Sequence, residues 1–415
     1  MLTRIICFVL FAVLVGGVFG QCDSLNMRLV GSWECPSDDM AGDNSGDIGK
    51  IGDYVILAQK TDYFFVYSDC DSLWIIDVSD PTNPTLATVY TDTVFSDTLA
   101  KIRCFTYKDE GGDSGYIYVN YYGGGREYFR VLKLTSGNPP TITPMGIVDS
   151  VIYAPNSTRT GDWVYNSNSI HVDDPSDPVR GTTVLLIEGY RSPPDGGDYR
   201  PQLDKTSSEN YMAYSGWVWG DEWDEEPAEL IALSKISNST TDVETVRIMG
   251  CWRGSYEGHT GYSIAINETL GVVALGTDYG VTFVSIDDIE DSIWYADPIA
   301  TWYCHYPVSD LHWVGDYIYV AEYRPYVIDA SDLWESGPDT IGHYGLPPYG
   351  PRELLYDDGY LYTRSSFGDL VIYEFDTTMQ VDEGGDSFLD EEFRIFPNPI
   401  LQNQRLVLDK KLKKP

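Results

Sequence analysis

Positive charge is scarce in this sequence: 27 Lys and Arg stand against 64 Asp and Glu, with 5 His, for a formal net charge of −37. Phosphate backbones and anionic membranes are held by clustered Lys and Arg, so this balance argues against a nucleic-acid or anionic-membrane partner. Apolar runs long enough to span a bilayer are missing throughout. There is no HExxH, no GxSxG, no P-loop and no dinucleotide glycine fingerprint. No CxxC occurs, which removes the zinc and redox motifs built on that spacing. Extended helical periodicity is lacking as well, which leaves an all-β reading.

What is present begins with an address. Arg4 precedes a continuous apolar run over residues 5–18, followed by small Gly20. Residues 1–20 therefore read as a secretory signal peptide cleaved before Gln21. Cys22 invites a lipoprotein reading, but Gln21 stands where lipid attachment needs a small residue. Beyond the leader the chain keeps Cys22, Cys35, Cys70, Cys104, Cys251 and Cys304. An even number in an exported chain permits three disulfides, and the spacing does not assign their connectivity. The acidic surface suits solubility in a saline or divalent-rich medium.

Residues 73–90, LWIIDVSDPTNPTLATVY, are the clearest unit of an internal repeat. Leu73 to Val78 alternate as a β-branched strand covered on both faces. Asp80-Pro81 and Asn83-Pro84 then force a turn, because the Asx side chain bonds forward and proline fixes φ and removes a donor. A second strand follows at residues 86–90, a third precedes at 53–58, and residues 47–50 supply a fourth. Degraded copies occur at 115–134, 184–190 with 229–237, 270–288, 315–333 and 359–376. Four short antiparallel strands recurring every 40 or 50 residues or so define a β-propeller. The last copy lacks an outer strand, and residues 27–35, MRLVGSWEC, resemble the outer strands VRIMGCW and PIATWYC. The N-terminal strand is thus expected to pair with the last blade and close the ring without a covalent bond. This gives six blades, or seven if residues 169–252 hold two.

The unit resembles the LVIVD repeat, a family of extracellular bacterial and archaeal propeller repeats marked by an LxIVD-type strand and a Ser-Asp-Pro turn. The match is close at residues 73–81 and fair at 326–332. The resemblance implies a propeller over residues 21–376 and a secreted or surface setting, and it carries no catalytic residues. Further on, an acidic, glycine-bearing linker at 377–392 leads to FRIFPNP at 393–399. That segment resembles the start of the C-terminal sorting domain of the type IX secretion system, which implies contact with the secretion machinery. Residues 393–415 are too short for that domain and read as a truncated sorting segment.

Candidate site residues are positional. Asp47, Asn168, His259, His305 and Arg352 are expected to enter innermost strands, where loops of different blades converge on the axis and build a ligand site. His259 and His305 occupy similar places in successive units and are the candidate metal ligands, with calcium or another divalent ion as the cofactor class. In YMAYSGWVWGDEWDEE, residues 211–226, Trp217 and Trp219 share one face of an extended strand and Trp223 follows an acidic turn. Read as an insertion, this stretch offers an aromatic surface beside carboxylates, which suits a glycan or peptide. Acidic glycine loops at 43–47, 109–114 and 382–387 carry oxygen ligands without EF-hand spacing. Sequons stand at Asn156, Asn238 and Asn267.

Two functions follow. The first is an exported, non-enzymatic binding scaffold for an extracellular glycan, peptide or protein. The second is an exported polysaccharide hydrolase or lyase with its site at the propeller axis, since the fold alone does not choose. A mouth gathering acids or histidines would favour catalysis, and a flat aromatic surface would favour binding.

Overall fold

The computed structural model describes residues 25–35, 46–59, 72–92, 101–123, 126–151, 158–160, 163–165, 168–183, 198–200, 205–219, 228–235, 248–257, 262–290, 297–345, 350–365 and 368–376. The apolar leader, the linker at 377–392 and the FRIFPNP segment lie outside them.

Strands gather in chain order into antiparallel sheets. Sheet 1 takes Gly46–Ile51, Tyr54–Gln59, Ser72–Asp77 and Thr85–Thr91, and sheet 2 takes Lys101–Gly111, Ser114–Gly123, Arg126–Thr135 and Thr141–Val151. Sheet 3 holds Thr158–Thr160, Trp163–Tyr165, Asn168–His171 and Val179–Thr183. In sheet 4, two short pieces, Asp198–Arg200 and Lys205–Ser207, line the inner edge of Tyr211–Trp219, followed by Ala228–Lys235 and Ile248–Glu257. Sheet 5 is Ser263–Asn267, Val272–Thr277, Gly280–Ser285 and Ala300–Tyr303, and sheet 6 is Asp310–Val314, Tyr317–Ala321, Pro325–Asp329 and Asp339–His343. Sheet 7 combines Pro351–Asp357, Tyr360–Ser365 and Leu370–Phe375 with Met27–Trp33, which pairs antiparallel with Leu370–Phe375 from Met27 opposite Phe375 to Trp33 opposite Leu370.

The described residues form seven sheets, the number expected if residues 169–252 hold two, where six was the first expectation. Residues 169–252 contribute to two of them, and the reason they were hard to separate is physical. The first two strands of sheet 3 have three residues each, and the inner edge of sheet 4 is split into two three-residue pieces. Runs that short carry no readable alternation.

Apolar burial follows from the stacking. Val272–Thr277 is buried at every position, as a strand covered on both faces must be. The core is therefore layered between neighbours. Ile56, Leu73 and Ile75 of sheet 1 pack on Phe105, Val119 and Leu132 of sheet 2. Phe283 and Val281 of sheet 5 meet Leu311, Val320 and Ile328 of sheet 6, and Val55, Leu57 and Ile76 of sheet 1 meet Tyr362, Leu370 and Ile372 of sheet 7. Each fully buried Ile, Leu or Val contributes roughly 1.5–3 kcal/mol relative to exposure.

Polar bonds join the same neighbours around the axis. Asp47 Oδ2 accepts from Phe105 N–H at 2.5 Å, joining sheets 1 and 2. Arg159 Nε donates to the Tyr107 carbonyl at 3.1 Å, and Ser207 Oγ donates to the Arg159 carbonyl at 3.2 Å, which carries the belt through sheets 3 and 4. Glu268 of sheet 5 receives Asn210 N–H at 2.6 Å and Asn210 Nδ2 at 2.9 Å from sheet 4. Asn267 Nδ2 reaches the Gly315 carbonyl of sheet 6 at 3.1 Å, so this sequon asparagine serves a sheet junction. Asp310 Oδ2 accepts from Leu354 N–H of sheet 7 at 2.8 Å, and Lys50 Nζ returns to sheet 1 from Asp357 Oδ2 at 2.6 Å.

The Asp-Pro turn does more than reverse the chain. Asp80 Oδ1 accepts from Thr82 N–H at 3.0 Å and Thr82 Oγ1 at 2.6 Å. Asp174 Oδ1 holds Ser176 in the same way, at 2.9 and 2.6 Å, so DDPSDP at residues 173–178 is a second copy of the device. Each turn seats against a glycine on the outer strand of the preceding sheet. A Cβ on Gly31 would lie 2.2 Å from the Pro81 carbonyl oxygen, and one on Gly146 would lie 2.1 Å from Pro178 Cδ. Only a residue without a side chain permits that approach.

Candidate functional site

In the antiparallel order of sheets 1 to 6, the ends of the strands that lead from first to second and from third to fourth lie on one side, and those that lead from second to third and from sheet to sheet lie on the other. The first end is closed by tight turns. Gly52, Asp113, Gly271, Gly315 and Asp358 adopt left-handed backbone there, at φ 53°, 56°, 69°, 60° and 48°. Its acidic loop, residues 109–114, uses its carboxylates internally: Asp109 Oδ2 accepts from Gly52 N–H at 3.1 Å and Asp113 Oδ1 from Asp53 N–H at 3.0 Å. The loop read as a cation candidate is thus occupied in joining sheets 1 and 2. Among the described residues no three His, Cys, Asp or Glu side chains group as a metal site requires.

The second end presents aromatic rings. The described residues include five exposed tyrosines, Tyr262, Tyr279, Tyr303, Tyr306 and Tyr323, and all of them lie at this end of sheets 5 and 6. Tyr303 is the most open, at 70% exposure, with Tyr306 at 51% and Tyr323 at 44%. Tyr306 and Tyr323 stack with ring centroids 4.9 Å apart and planes 28° from parallel. Backbone bonds tie the patch together. Cys304 N–H donates to the Tyr279 carbonyl at 2.6 Å, Val308 N–H to the Thr277 carbonyl at 2.9 Å, and Tyr262 N–H to the Gly276 carbonyl at 2.8 Å.

Glu322 organises the two loops that carry the stacked pair. Only 5% exposed, its Oε1 accepts from Tyr306 N–H at 2.9 Å and His305 N–H at 3.3 Å, and its Oε2 from Tyr323 N–H at 2.6 Å and Arg324 N–H at 3.3 Å. Burial raises the Glu322 pKa, and the four amide donors pull against that shift without overcoming it. Beside it Cys304 is a free thiol whose Sγ donates to the Tyr306 carbonyl at 3.0 Å. Burial, then the Glu322 charge, pushes that thiol up to about 12, which keeps it a poor nucleophile at neutral pH.

The sequence candidates separate. Asp47 stands on the innermost strand of sheet 1 as expected, but its buried carboxylate clamps the backbone of sheet 2. Arg352 lies on the innermost strand of sheet 7, half-buried. His305 is exposed in the connection between sheets 5 and 6, its backbone held by Glu322. Asn168 does not enter an innermost strand: it opens the third strand of sheet 3, because the sheet begins ten residues earlier, at Thr158, than the repeat pattern places it. Residues 211–219 are not an insertion either. They form the long second strand of sheet 4, with Trp217 opposite Arg200 and Glu229 and Trp219 opposite Asp198. Both tryptophans fall at the tyrosine-bearing end of their strand. Trp223 and His259 lie outside the described residues.

Sequence reasoning missed Glu322 and the tyrosines. Tyrosine is spread through the whole chain, 32 in all, so no local excess marks residues 303–323. A single Glu after a strand carries no signal of the loops it will meet. The one available clue was that YCHYP and EYRPY set tyrosines at connections, where apolar burial does not require them.

Comparison with known proteins defines the class. The WD40 domain of Pan2 from Neurospora crassa aligns over 87% of this chain and 98% of its own length, at 9% identity and a TM-score of 0.50. The WD40 β-propeller domain of Doa1 aligns over 85% and 98%, at 13% identity and 0.48, and BamB from Moraxella catarrhalis over 86% and 99%, at 13% identity and 0.44. This chain is an all-β β-propeller. Residues 51–92 match the family described as LVIVD repeat, over the unit whose strand and Asp-Pro turn make up most of sheet 1. No curated protein matches the sequence. No helix among the described residues is long and apolar enough to cross a membrane.

Proposed function

We propose that this chain is an exported, non-enzymatic β-propeller scaffold that binds an extracellular glycan, peptide or protein at the tyrosine-bearing end of sheets 5 and 6. One observation carries the reading: every exposed tyrosine of the described residues stands at that end, on loops fixed by backbone bonds and by Glu322. An amphipathic ring held rigid in water costs little entropy when a ligand covers it, and its hydroxyl still finds partners. Tyr303, at 70% exposure, gains little from packing. Export is supported by the leader-like run at residues 5–18, by the LVIVD repeat at 51–92 and by FRIFPNP at 393–399.

The test is a comparison of the full chain with a Tyr306→Ala, Tyr323→Ala variant for binding to a mixed array of glycans and peptides, with product formation followed in parallel. Binding that the variant loses, with no substrate turned over, supports the scaffold. Turnover of a polysaccharide at a rate indifferent to the two tyrosines overturns it in favour of a hydrolase or lyase at the axis. Fractionation of the source cells checks export: residues 1–20 removed and the protein outside the cytoplasm is the expected outcome.

A further inference from the structure

The chemistry around the tyrosines narrows the ligand class, and this narrowing rests on the scaffold reading above. A protein interface seats its Trp, Tyr and Arg anchors in a fully desolvated core that is more apolar than the surrounding surface. The exposed aliphatics of the described residues stand elsewhere: Leu29, Leu86, Val89, Ile147 and Val179 are on outer strands, and Val314 is at the opposite end of sheet 6. Trp334 lies in a third-to-fourth connection, again at the opposite end. Among the described residues, this end of sheets 5 and 6 therefore exposes flat rings and hydroxyls without exposed aliphatic side chains beside them. A net charge of −37 places a repulsive field around the molecule, which disfavours uronate- or sulfate-bearing polymers. Flat rings along two neighbouring sheets, with no cluster of Lys or Arg beside them among the described residues, match a neutral sugar chain. Its C–H faces lie on aromatic rings while its hydroxyls hydrogen-bond around them.

We infer that Tyr279, Tyr303, Tyr306 and Tyr323 form a stacking platform for an uncharged polysaccharide, with Glu322 as the positioning residue that sets the Tyr306–Tyr323 pair. Tyr303 and Tyr279 are brought together by pairing, since Tyr303 lies opposite Gly280 and Cys304 N–H bonds to the Tyr279 carbonyl. The Gly280 Cα sits so close to that strand, at φ 145°, that a Cβ there would fall 1.8 Å from the Trp302 carbonyl oxygen. Glu322 reaches the sugar only through the rings it holds. Replacing it by Gln leaves one oxygen to accept and turns an amide N–H₂ toward two backbone N–H donors, which releases one of the two loops. The platform then loses its geometry while its rings remain.

The experiment measures retention of the full chain on three arms: insoluble or immobilised neutral polysaccharides (cellulose, curdlan, xylan, amylose), anionic ones (alginate, heparin), and a phage-displayed peptide library. Retention on at least one neutral polymer is expected, insensitive to salt. It falls about tenfold in the Tyr306→Ala, Tyr323→Ala variant, in line with two ring contacts of ordinary strength. Glu322→Gln weakens retention with the circular-dichroism spectrum intact, and Trp334→Ala at the opposite end changes nothing. Tyr303→Phe retains most of the binding where Tyr303→Ala does not, with the unfolding midpoint unchanged in both, a combination that a purely structural role would not produce. Tyrosine-dependent binding in the peptide arm alone, or in the anionic arm alone, overturns the polysaccharide assignment while the scaffold stands. Neutral-polymer retention that the double variant preserves overturns the platform. No tyrosine-dependent binding in any arm removes both readings.

Discussion

The two ends of the propeller are built from the same chain by opposite means. At one end, left-handed turn residues, Asp-Pro turns and the Asp80, Asp109 and Asp113 carboxylates aimed at backbone N–H groups turn polar atoms inward onto the protein itself. At the other, Glu322 also satisfies four N–H groups, but the rings it places face outward. Self-satisfaction is what holds a ring together, and surplus surface is what lets it bind. Sheets 5 and 6 carry both, since Asp310 joins the belt at one point of the strand pair and Tyr306 and Tyr323 project from the connections beside it.

That contrast is open to measurement, beginning where the effect is largest. Valine at Gly31 or Gly146 drives a side chain into the turn of the next sheet and is expected to destabilise by about 3 kcal/mol, or to prevent folding, because the Pro81 carbonyl oxygen and the rigid Pro178 ring, rather than flexible side chains, lie in the way. Thermal unfolding of each variant checks it, and near-neutral values would show that turns and glycines are not interlocked.

Acid comes next. Burial lowers the His312 pKa to about 4, against the pull of Asp357 and of its bond to the Tyr356 carbonyl. The unfolded chain takes up that proton near pH 6.5 and the folded one only near 4, so stability falls as pH drops through this window and levels off below it. The loss amounts to up to roughly 3 kcal/mol. Denaturant titrations at pH 7 and pH 4.5 should differ accordingly, and His312→Gln should remove most of this contribution while the carboxylates continue to titrate.

Smaller still is Lys50→Met at the junction of sheets 1 and 7. The lysine is largely buried but its partner Asp357 is about half exposed, so about 1 kcal/mol is expected. Tyr303→Ala is expected to leave stability within about 0.5 kcal/mol, since an exposed ring on a sheet rim supports little of the core. A loss above 2 kcal/mol in that variant would mean that the tyrosine end also holds the ring and that the division between ends is wrong.

Much of this was readable from residues alone, for reasons that are local. Asp80-Pro81 announces its turn because the Asx bond and the proline ring act within four residues, and the run Leu73 to Val78 reads as a doubly covered strand for the same reason. Met27–Trp33 was legible as an outer strand from its likeness to VRIMGCW and PIATWYC, whereas the seat of Gly31 against the turn of sheet 1 appears only in the fold. The third and fourth sheets resisted, because strands of three residues have no period to detect. Glu322 and Asp47 resisted for another reason: their roles exist only once a distant loop or strand arrives, 16 residues away for Tyr306 and 58 for Phe105. The Trp217 strand shows the converse error. Aromatic alternation was taken as the mark of an exposed insertion when it marks a long strand of the sheet.

The seam in sheet 7 sets the order in which the molecule can be finished. Arg28 meets Glu374 across 346 positions of chain, and Leu25 exchanges backbone hydrogen bonds with His343 of sheet 6 on the way. A polypeptide delivered N-terminus first presents Met27–Trp33 early and its partner late, so their pairing closes a loop of 346 positions and is expected to be slow. Until then the strand is an orphan with an open edge. A second copy waiting in the same state offers an identical vacancy, and reciprocal exchange of residues 25–35 yields a closed dimer from intact sequences. Refolding at rising concentration is therefore expected to increase the share of such dimers, which size-exclusion chromatography reads.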